Sequence, residues 1–517
     1  MSTSPGRCFV ETVGLALILG VTAMAMATAT AAATTTAGET APVGKDKSAA
    51  EHDEGHGEDG ADGEHGEKHG KHSSRLSDEH IPLQLEGFPE RPKLLLELGN
   101  PYLGTGNIKP GVKLPTGAVW QPTLIVFGTL RTGLQSFDSG PTRFSEVATR
   151  LDLFANLQLS GTERLVVGLR PFDQDGRFTS YVFDPDPDDP AFQARFGDDD
   201  ELREELNAEI QTLYFEGDFG EIFPNADEND FKRLDYGFSI GRQPLLFQEG
   251  ILINDSIDGV GITRNTLLPA KTSNFRATFF AGVDDVNRAN FEDEEAELYA
   301  LLTSTDTRKS TIDADLVYVD ADELSGDLAV YGVSAAQRLG RFATSFRLLG
   351  SHALDEETVF ATDGTLVFGE VSWVPHYTYD HAYFTFFAAL DEFSSAARGP
   401  ATGGPLGRAG INFAAVGLGN YGAALSSRAR DVAGGAFGYQ KFFGGHQRRQ
   451  LLAEVGLRIG LDDQVADEAA VTVRYQKAVG RRMVLVLDGF GGRRQGRFAG
   501  EEDESLFGGR LEVVFKF

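Results

Sequence analysis

The 517-residue sequence predicts an all-β fold, a transmembrane antiparallel up-and-down β-barrel of about 18 strands, with about 16 as the lower alternative. Apolar and polar residues alternate with a period of two over stretches of about ten residues, the length that a tilted strand needs to cross a bilayer. Short links such as 160–163 and 339–341 alternate with much longer polar ones. The mean hydropathy of −0.21 fits this fold, because only every second residue of such a strand faces lipid.

The alternation is clear in individual segments. In 150–159, Leu151, Leu153 and Leu157 share one face, whereas Arg150 and Asp152 take the other. The segments 274–279, 451–459 and 471–476 follow the same rule. We predict strands at 119–132, 144–159, 162–171, 208–217, 234–243, 257–265, 272–283, 297–304, 310–320, 327–338, 341–352, 364–374, 379–390, 432–443, 449–460, 469–478, 481–491 and 505–517.

The C-terminal strand is the third indication of a barrel. Leu511, Val513, Phe515 and the final Phe517 have one parity and form an apolar face. The strand resembles the closing strand of bacterial outer-membrane barrels, whose terminal aromatic residue is recognised by the barrel-assembly machinery. An ordinary edge strand of this kind would expose a long apolar edge to aggregation. We therefore expect the outer membrane as the location, with its lipid, lipopolysaccharide and the assembly machinery as partners.

The N-terminus predicts secretion. Residues 1–33 read as a signal peptide, with Arg7 ahead of an apolar run and small residues at the cleavage region. The one cysteine, Cys8, lies inside this segment. The mature chain is therefore expected to have no disulfide, thiolate zinc site or cysteine nucleophile.

Residues 34–80 predict a disordered acidic leader rich in histidine. Imidazoles beside carboxylates can ligate zinc, nickel or copper, so we expect weak, fluctuating divalent binding and no resident cofactor. The alternative is a solvated spacer without fixed ligand geometry. The formal net charge of −30 argues against a nucleic-acid partner. The six histidines concerned are His52, His56, His65, His69, His72 and His80.

Two further segments precede or interrupt the barrel, which we place at 119–517. Residues 81–118 are predicted to be a periplasmic plug-like or extended entry segment. The long acidic segment 172–207 is the candidate for a constriction that folds into the bore. Asp184, Asp186 and Asp188 have the 1-3-5 spacing of a calcium loop, but Asp189 and Arg195 occupy positions that require Gly and Glu, which argues against a calcium-binding hand.

A barrel of this size leaves an aqueous channel, so the predicted function is diffusion or export of small or polymeric hydrophilic solutes. Arginine outnumbers lysine 34 to 13, and an arginine-lined constriction favours anions. The alternative is that the arginines pair with neighbouring carboxylates and only stabilise the wall. Parity directs the following residues into the lumen: Arg276, Arg347, Arg458, Arg474, Asp152, Glu454 and Glu512.

One segment, 239–264, carries a family resemblance. It matches a stretch of alginate-export-type outer-membrane channels through Gly241, Arg242, Gln243, Asp258 and Gly259. The resemblance covers about 25 residues, and it implies an 18-stranded barrel with an arginine-rich conduit for an acidic polysaccharide. The leader and the segment 99–118 depart from that family's pattern.

Two rival functions stay open. A metal-linked porin would use the leader to collect ions. An outer-membrane barrel enzyme would need a catalytic histidine, for which His352, His376, His381 and His446 are available. No G-x-S-x-G elbow or H-E-x-x-H motif occurs, so we predict that the protein is not an enzyme.

Overall fold

The computed structural model describes residues 92–100, 110–139, 143–174, 176–183, 201–204, 206–207, 210–226, 233–283, 286–288, 291–293, 295–322, 325–355, 358–444, 447–496 and 503–517. All of them belong to the unit Glu90–Phe517. The predicted signal peptide, the leader with its six histidines and the segment 81–91 lie outside the described residues.

Eighteen antiparallel strands form a closed barrel, in which each strand pairs with the next along the chain. The last strand closes the ring by pairing with the first, where Phe507–Lys516 run alongside Asp138–Thr129. The strands are β1 Thr123–Asp138, β2 Arg143–Gln158, β3 Arg164–Leu169, β4 Ile210–Asp218, β5 Tyr236–Phe247, β6 Ile253–Leu267, β7 Thr272–Val283, β8 Glu297–Thr307, β9 Ser310–Asp320, β10 Leu328–Leu339, β11 Phe342–Ala353, β12 Gly364–Trp373, β13 His381–Glu392, β14 Arg430–Phe443, β15 Arg449–Gly460, β16 Glu468–Val479, β17 Met483–Arg494 and β18 Glu504–Lys516.

The predicted fold class and the strand count of eighteen are confirmed, and the 16-stranded alternative is wrong. Three strands, β7, β9 and β15, begin and end at the predicted residues. The first strand shifts most, from the predicted 119–132 to Thr123–Asp138, and Val119–Trp120 pairs instead with Val112–Lys113.

The two ends of the barrel differ. At one end, which we call the terminus end, β1 begins, β18 finishes and most connections are tight turns. The opposite end, the loop end, carries the long connections, including 170–209 and 393–429. This asymmetry is the predicted pattern of a membrane barrel.

One terminus-end connection, 219–235, is longer than a tight turn. It contains a four-residue helix, Phe219–Ile222, whose first turn is capped by the Asp218 carboxylate, and a 3-10 turn, Pro224–Ala226. The amide of Asn225 donates to the carbonyl of Thr116 at 3.3 Å. The connection is therefore a packing partner of the 112–120 hairpin.

The N-terminal segment also meets the wall at the terminus end. Leu96–Leu98 pairs with residues 124–126 of β1, beyond the point where β18 stops. The Phe517 and Gly128 backbones exchange two hydrogen bonds of 2.9 and 3.1 Å. The segment and the closing strand thus share one edge of β1.

The outer face of the wall is apolar. Outward side chains of successive strands, such as Phe279, Leu301, Leu316, Val455 and Val471, are each about half exposed. A continuous apolar face on the outside of a closed barrel is the surface that such proteins present to lipid.

The inner face of β8–β12 has two zones. On β9, Asp313 and Asp315 face inward near the terminus end, whereas Val317 and Val319 face inward near the loop end and are fully buried. Exposure of an apolar lumen face to water is unfavourable, so other segments of the chain are expected to cover it. Two elements do so.

The first is the end of the β5–β6 hairpin, residues 243–258, which we call the hairpin tip. Strand β4 pairs with β5 only as far as Arg242, and β7 pairs with β6 only from Gly259. Between these points the hairpin leaves the wall and crosses the lumen, where Gln248 donates to Asp315 of β9 at 2.7 Å. Its Ile251, Leu252 and Ile253 are completely buried.

The second element is the inner loop, residues 393–429 between β13 and β14. Its short strand Ala397–Arg398 pairs in parallel with Ile253–Asn254 of the hairpin tip. Its 3-10 turn Pro405–Arg408 and the fully buried Phe413 pack on the same core. The core of the protein therefore lies inside the barrel.

The hairpin tip and the inner loop enter the lumen, whereas the segment predicted to do so was 172–207. The described part of that segment forms Asp173–Gln174, Arg177–Phe183 and Glu201–Arg203, which add to the loop-end extension of β2. Residues 184–200 lie outside the described residues. The inner loop has the better composition for a buried position, because it is rich in Gly, Ala and Ser and contains no Asp or Glu. Two more short strands, Val286–Arg288 and Phe291–Asp293, pair with each other in the β7–β8 connection.

Candidate functional site

A cavity of about 940 Å³ opens inside the terminus half of the barrel. Residues of β2–β11 line its wall, with hydroxyl and amide side chains from several of these strands, and the hairpin tip forms its roof. Arg276 of β7 projects into it and makes no ion pair or hydrogen bond among the described residues. Its charge interacts with that of the Asp315 carboxylate in the same cavity without direct contact, so the guanidinium is still available to hydrogen-bond an anionic solute.

Glu249 lies at the upper boundary of this cavity and also borders a second one of about 230 Å³. Its two carboxylate oxygens bind two different arginines, Arg347 of β11 and Arg408 of the inner loop, each at 2.5 Å. Three elements, the hairpin tip, the wall and the inner loop, thus converge on one carboxylate. We call this arrangement the neck.

A chain of alternating charges crosses the opposite sector of the wall at mid-height. Asp488 binds both Arg474 and Arg510, and Glu512 binds both Arg510 and Arg131. Across the next strand, Asp152 binds Arg150 and Arg170, and Arg170 also binds Asp173. The chain runs through five arginines and four carboxylates on β16–β18 and β1–β3, and most of its side chains keep a fraction of their surface exposed.

The inner loop is connected to this chain through its backbone. Arg131 and Arg150 both donate to the carbonyl of Gly417, at 3.1 and 2.9 Å. Gly417 thereby bridges the two arms of the chain, one on β16–β1 and one on β2–β3.

Three buried wall carboxylates hold the inner loop from below and from the sides. Glu454 of β15 accepts from the backbone amides of Ile411 and Asn412 at 2.9 and 2.7 Å. Glu146 of β2 accepts from Asn420 in the same way, at 2.6 Å. Glu468 of β16 accepts a hydrogen bond from the backbone amide of Ser426 at 2.8 Å. A buried carboxylate forms strong, directional hydrogen bonds with backbone amides, so these three side chains anchor the inner loop to the wall.

Arg398 fixes the inner loop to the hairpin tip. Its guanidinium is buried and donates to the carbonyls of Gly250 and Gly403 and to the hydroxyl of Ser395. Burial lowers the pKa of Arg398 to about 10, while the Asp255 carboxylate opposes the shift. The side chain therefore remains charged at neutral pH.

The seven residues predicted to face the lumen occupy four settings. Arg276 lines the cavity and Arg347 forms the neck. Glu454 and Arg458 point inward but are covered, the first by the inner loop and the second by contacts to the carbonyls of Ala466 and Arg428. The remaining three, Asp152, Arg474 and Glu512, belong to the charge chain.

The five residues of the family-like motif lie where the hairpin leaves the wall. Gly241 has a φ of +112°, and a Cβ there would lie 2.2 Å from the Leu213 carbonyl oxygen. A Cβ on Gly259 would lie 2.4 Å from the Ala281 carbonyl oxygen. Arg242 and Asp258 pair across the two strands at 3.4 Å, and Gln243 is buried as the first residue of the tip. The motif therefore builds the bend of the hairpin.

The predicted assembly signal also has a clear position. Leu511, Val513 and Phe515 are outward and exposed, and the ring of Phe515 lies 6.0 Å from that of Phe517. These side chains form a continuous outward face on the strand that closes the barrel.

Parity could have added two arginines of the charge chain, Arg150 and Arg510, to the residues predicted to face the lumen. Arg510 precedes Glu512 by two residues, and Arg150 precedes Asp152 by two, so each pair shares a face. Glu249 and Arg408 could not be found in this way, because they lie in connections. The continuous apolar runs Leu298–Leu302 and Leu316–Val319 did carry a signal, since strands that are apolar on both faces are covered on both sides.

The barrel histidines and possible metal ligands are the remaining candidates for a reactive site. Of the four barrel histidines, His446 lies outside the described residues. His352 pairs at 2.7 Å with Asp363 at the loop end, and both are well exposed. Among the described residues no group of three or more His, Cys, Asp or Glu side chains could hold a metal ion. In the same part of the chain no helix is long and apolar enough to cross a membrane.

Comparison with known proteins finds structural likeness only. No family model matches the sequence, and no curated protein matches it. The solved structures that resemble the chain include Pseudomonas aeruginosa OpdK with vanillate, at 12% identity and a TM-score of 0.48, covering 76% of this chain and 98% of that one. Acinetobacter baumannii OccAB3 gives 12% and 0.48 over 76% and 99%, and Pseudomonas aeruginosa OccK9 (OpdG) gives 13% and 0.49 over 76% and 98%. At such identities and TM-scores below 0.5, the ligands and functions of those proteins are not transferred to this chain.

The class of protein follows from the chain's own geometry. A closed 18-stranded barrel with an apolar outer face and a polar cavity inside is an outer-membrane β-barrel of porin size. Its apolar outer face locates it in the bacterial outer membrane, as predicted, with the terminus end on the periplasmic side.

Proposed function

We propose that the protein is an outer-membrane channel that passes small hydrophilic solutes and prefers anions. The observation that carries the proposal is the cavity of about 940 Å³ inside a membrane barrel, with the unpaired Arg276 on its wall. Eighteen strands enclose more space than side chains alone can fill, and the lumen here is narrowed by two inserted segments instead.

The charge preference arises in the narrow part of the lumen. The inner loop brings Arg398, Arg408 and Arg428 and no carboxylate. The cavity below it is not cationic, because carboxylates outnumber arginines on its lining. Selectivity in a channel is decided where the bore is narrowed and least screened, and three elements of the chain converge at the neck.

The test is ion conductance of the purified protein in planar bilayers. We expect discrete conductance steps, and a reversal potential in a KCl gradient that indicates chloride preference. The Arg276→Ser variant should shift this reversal potential toward cations, since it removes a free positive charge from the cavity. Arg308→Ser is the matched control, because Arg308 lies exposed in the β8–β9 turn.

The outcome that contradicts the channel is a heat-modifiable, folded barrel that gives no conductance steps. An equal reversal potential in the wild type and in Arg276→Ser would refute the proposed role of Arg276 but not the channel itself.

Export of an acidic polysaccharide, as the local likeness to alginate-export channels implies, stays a prediction. The neck as described is narrowed by side chains of three elements, which favours small solutes over a polymer. Polymer-dependent block of the current by alginate oligomers, absent for neutral dextran of the same size, would reverse this preference.

The metal-linked and enzymatic alternatives are separated by simple measurements. Deletion of 45–80 should change metal accumulation and leave conductance intact if the leader collects ions. Among the described residues His352 has only Asp363 as a hydrogen-bonding partner, so no nucleophile is aligned with it. Release of lipid products by the purified protein, lost in a His352→Ala variant, would instead support an enzyme.

A further inference from the structure

We infer that the two arginines of the neck form an anion-binding site and that Glu249 is its built-in occupant, which a solute carboxylate displaces on its way through. This deepens the proposed function and rests on it, since it names the binding step inside the same channel. The shared chemistry is a carboxylate held between two guanidinium groups.

The geometry of the pair is that of a ligand site. Arg347 comes from the wall, and Arg408 comes from the inner loop. Each binds one oxygen of the same carboxylate, so the two guanidinium groups are spaced to share one planar anion. Any carboxylate of similar size could take the same two positions.

Arg347 has capacity that Glu249 does not use. It is 3% exposed, and its Nε is buried without a hydrogen-bond partner. Its other contacts are the Ser345 hydroxyl at 3.1 Å and the face of the Phe368 ring at 5.8 Å. A buried donor without a partner costs free energy, and an incoming oxygen could satisfy it.

The Glu249 side chain extends from a tight turn at the end of the hairpin tip. Gln248 and Glu249 have φ values of +49° and +55°, the left-handed region that non-glycine residues avoid. These values belong to the tight turn of the hairpin tip, which presents the Glu249 side chain to the two arginines. Glu249 is also 42% exposed, so it can rotate away without unpacking the core.

The position of Glu249 explains what the displacement achieves. It borders both the large cavity and the smaller one beyond the neck. A carboxylate that exchanges with Glu249 therefore passes from the Arg276 side to the loop side through the two arginines, while the arginines are never left unpaired.

Acetate is the matched probe, because it reproduces the Glu249 carboxylate. Binding to the detergent-purified barrel is measured by calorimetry, and block of the chloride current is measured in bilayers. If Glu249 holds the site about nine-tenths of the time, Glu249→Gln should lower the acetate dissociation constant about tenfold. The conductance of Glu249→Gln should also rise.

Two further variants make the result specific. Glu249→Gln combined with Arg408→Gln should lose the tenfold gain, because one of the two guanidinium groups is gone. Glu392→Gln is the matched control, since Glu392 also contacts two arginines, Arg428 and Arg430, but at the loop-end rim. It should bind acetate as the wild type does.

Equal acetate affinity in the wild type and in Glu249→Gln would overturn the inference, and so would a gain that survives Arg408→Gln. The two proposals fail separately. A protein that binds acetate as described but never conducts would refute the channel, whereas a conducting channel with unchanged acetate binding would refute only the displaceable occupant.

Discussion

Loss of the Glu454 carboxylate should release the inner loop without opening the barrel. Glu454 is 1% exposed and accepts four hydrogen bonds, from the amides of Ile411 and Asn412, the Asn412 side chain and the Tyr383 hydroxyl. Truncation in Glu454→Ala removes the two carboxylate oxygens that accept all four hydrogen bonds. The two backbone donors cannot rotate to other partners, so they are left buried and unsatisfied.

The expected magnitude follows from those two donors. Each buried, unsatisfied donor costs about 1–3 kcal/mol, so the closed position of the loop should lose about 2–6 kcal/mol relative to the released one. At the lower end this raises the released population about 30-fold. The wall pairing of β15 is made by its backbone, so the barrel itself should stay closed.

Thiol labelling can measure the release. The only cysteine is Cys8 in the predicted signal peptide, so Ala409→Cys introduces a single reporter at a fully buried position of the inner loop. In the reporter background, Glu454→Ala should raise the maleimide labelling rate about 30-fold or more and increase the single-channel conductance. A gel that retains heat-modifiable mobility verifies that the barrel is folded.

Glu392→Ala in the same background is the control, because Glu392 is a part-exposed rim carboxylate that contacts arginines and not the buried loop amides. If Ala409→Cys is labelled at the same rate whether or not Glu454→Ala is present, the Glu454 carboxylate does not hold the inner loop and the prediction is wrong.

Two further predictions concern the bend and the closing strand. Gly241→Ala should lower the thermal midpoint of the barrel, because the residue has φ +112° and its Cβ would lie 2.2 Å from the Leu213 carbonyl oxygen, a cost of about 1–3 kcal/mol. Gly491→Ala, with nothing within 4 Å, is its control, and equal midpoints would contradict the strain argument. Phe517→Ala should reduce the amount of protein in the outer membrane but not refolding in detergent, if the terminal ring is read by the assembly machinery. Phe507→Ala, exposed on the same strand, should do neither, and matching losses in both variants would argue against a terminal signal.

The strands were predictable because lipid imposes one rule on every one of them. An outward side chain must be apolar and its neighbour must face inward, so the alternation in segments such as Ser310–Asp320 is visible without any partner. The terminal Phe517 and the tight turns then fix the number and direction of the strands. Each of these signals is local in sequence.

The interior was less predictable, because it depends on segments far apart in the chain. Parity directs Glu454 and Arg458 inward, but it does not reveal that the inner loop covers them. Glu249 and Arg408 are 159 positions apart in two connections, where no periodicity applies. The length of the acidic segment 172–207 predicted a constriction there, and its residues 184–200 lie outside the described part of the chain. The inner loop was not predicted to enter the bore, although a loop without carboxylates is far less costly to bury.

The inner loop also has a mechanical consequence. Its bonds reach Glu146 on β2, Ile251 between β5 and β6, Thr385 on β13 and Glu468 on β16, so it spans the bore from several directions. A hollow cylinder of sheet flattens readily under lateral pressure, whereas one with struts across its diameter keeps its circular section. The bore of this barrel should therefore be insensitive to membrane tension, and its width is set by the struts rather than by the surrounding lipid.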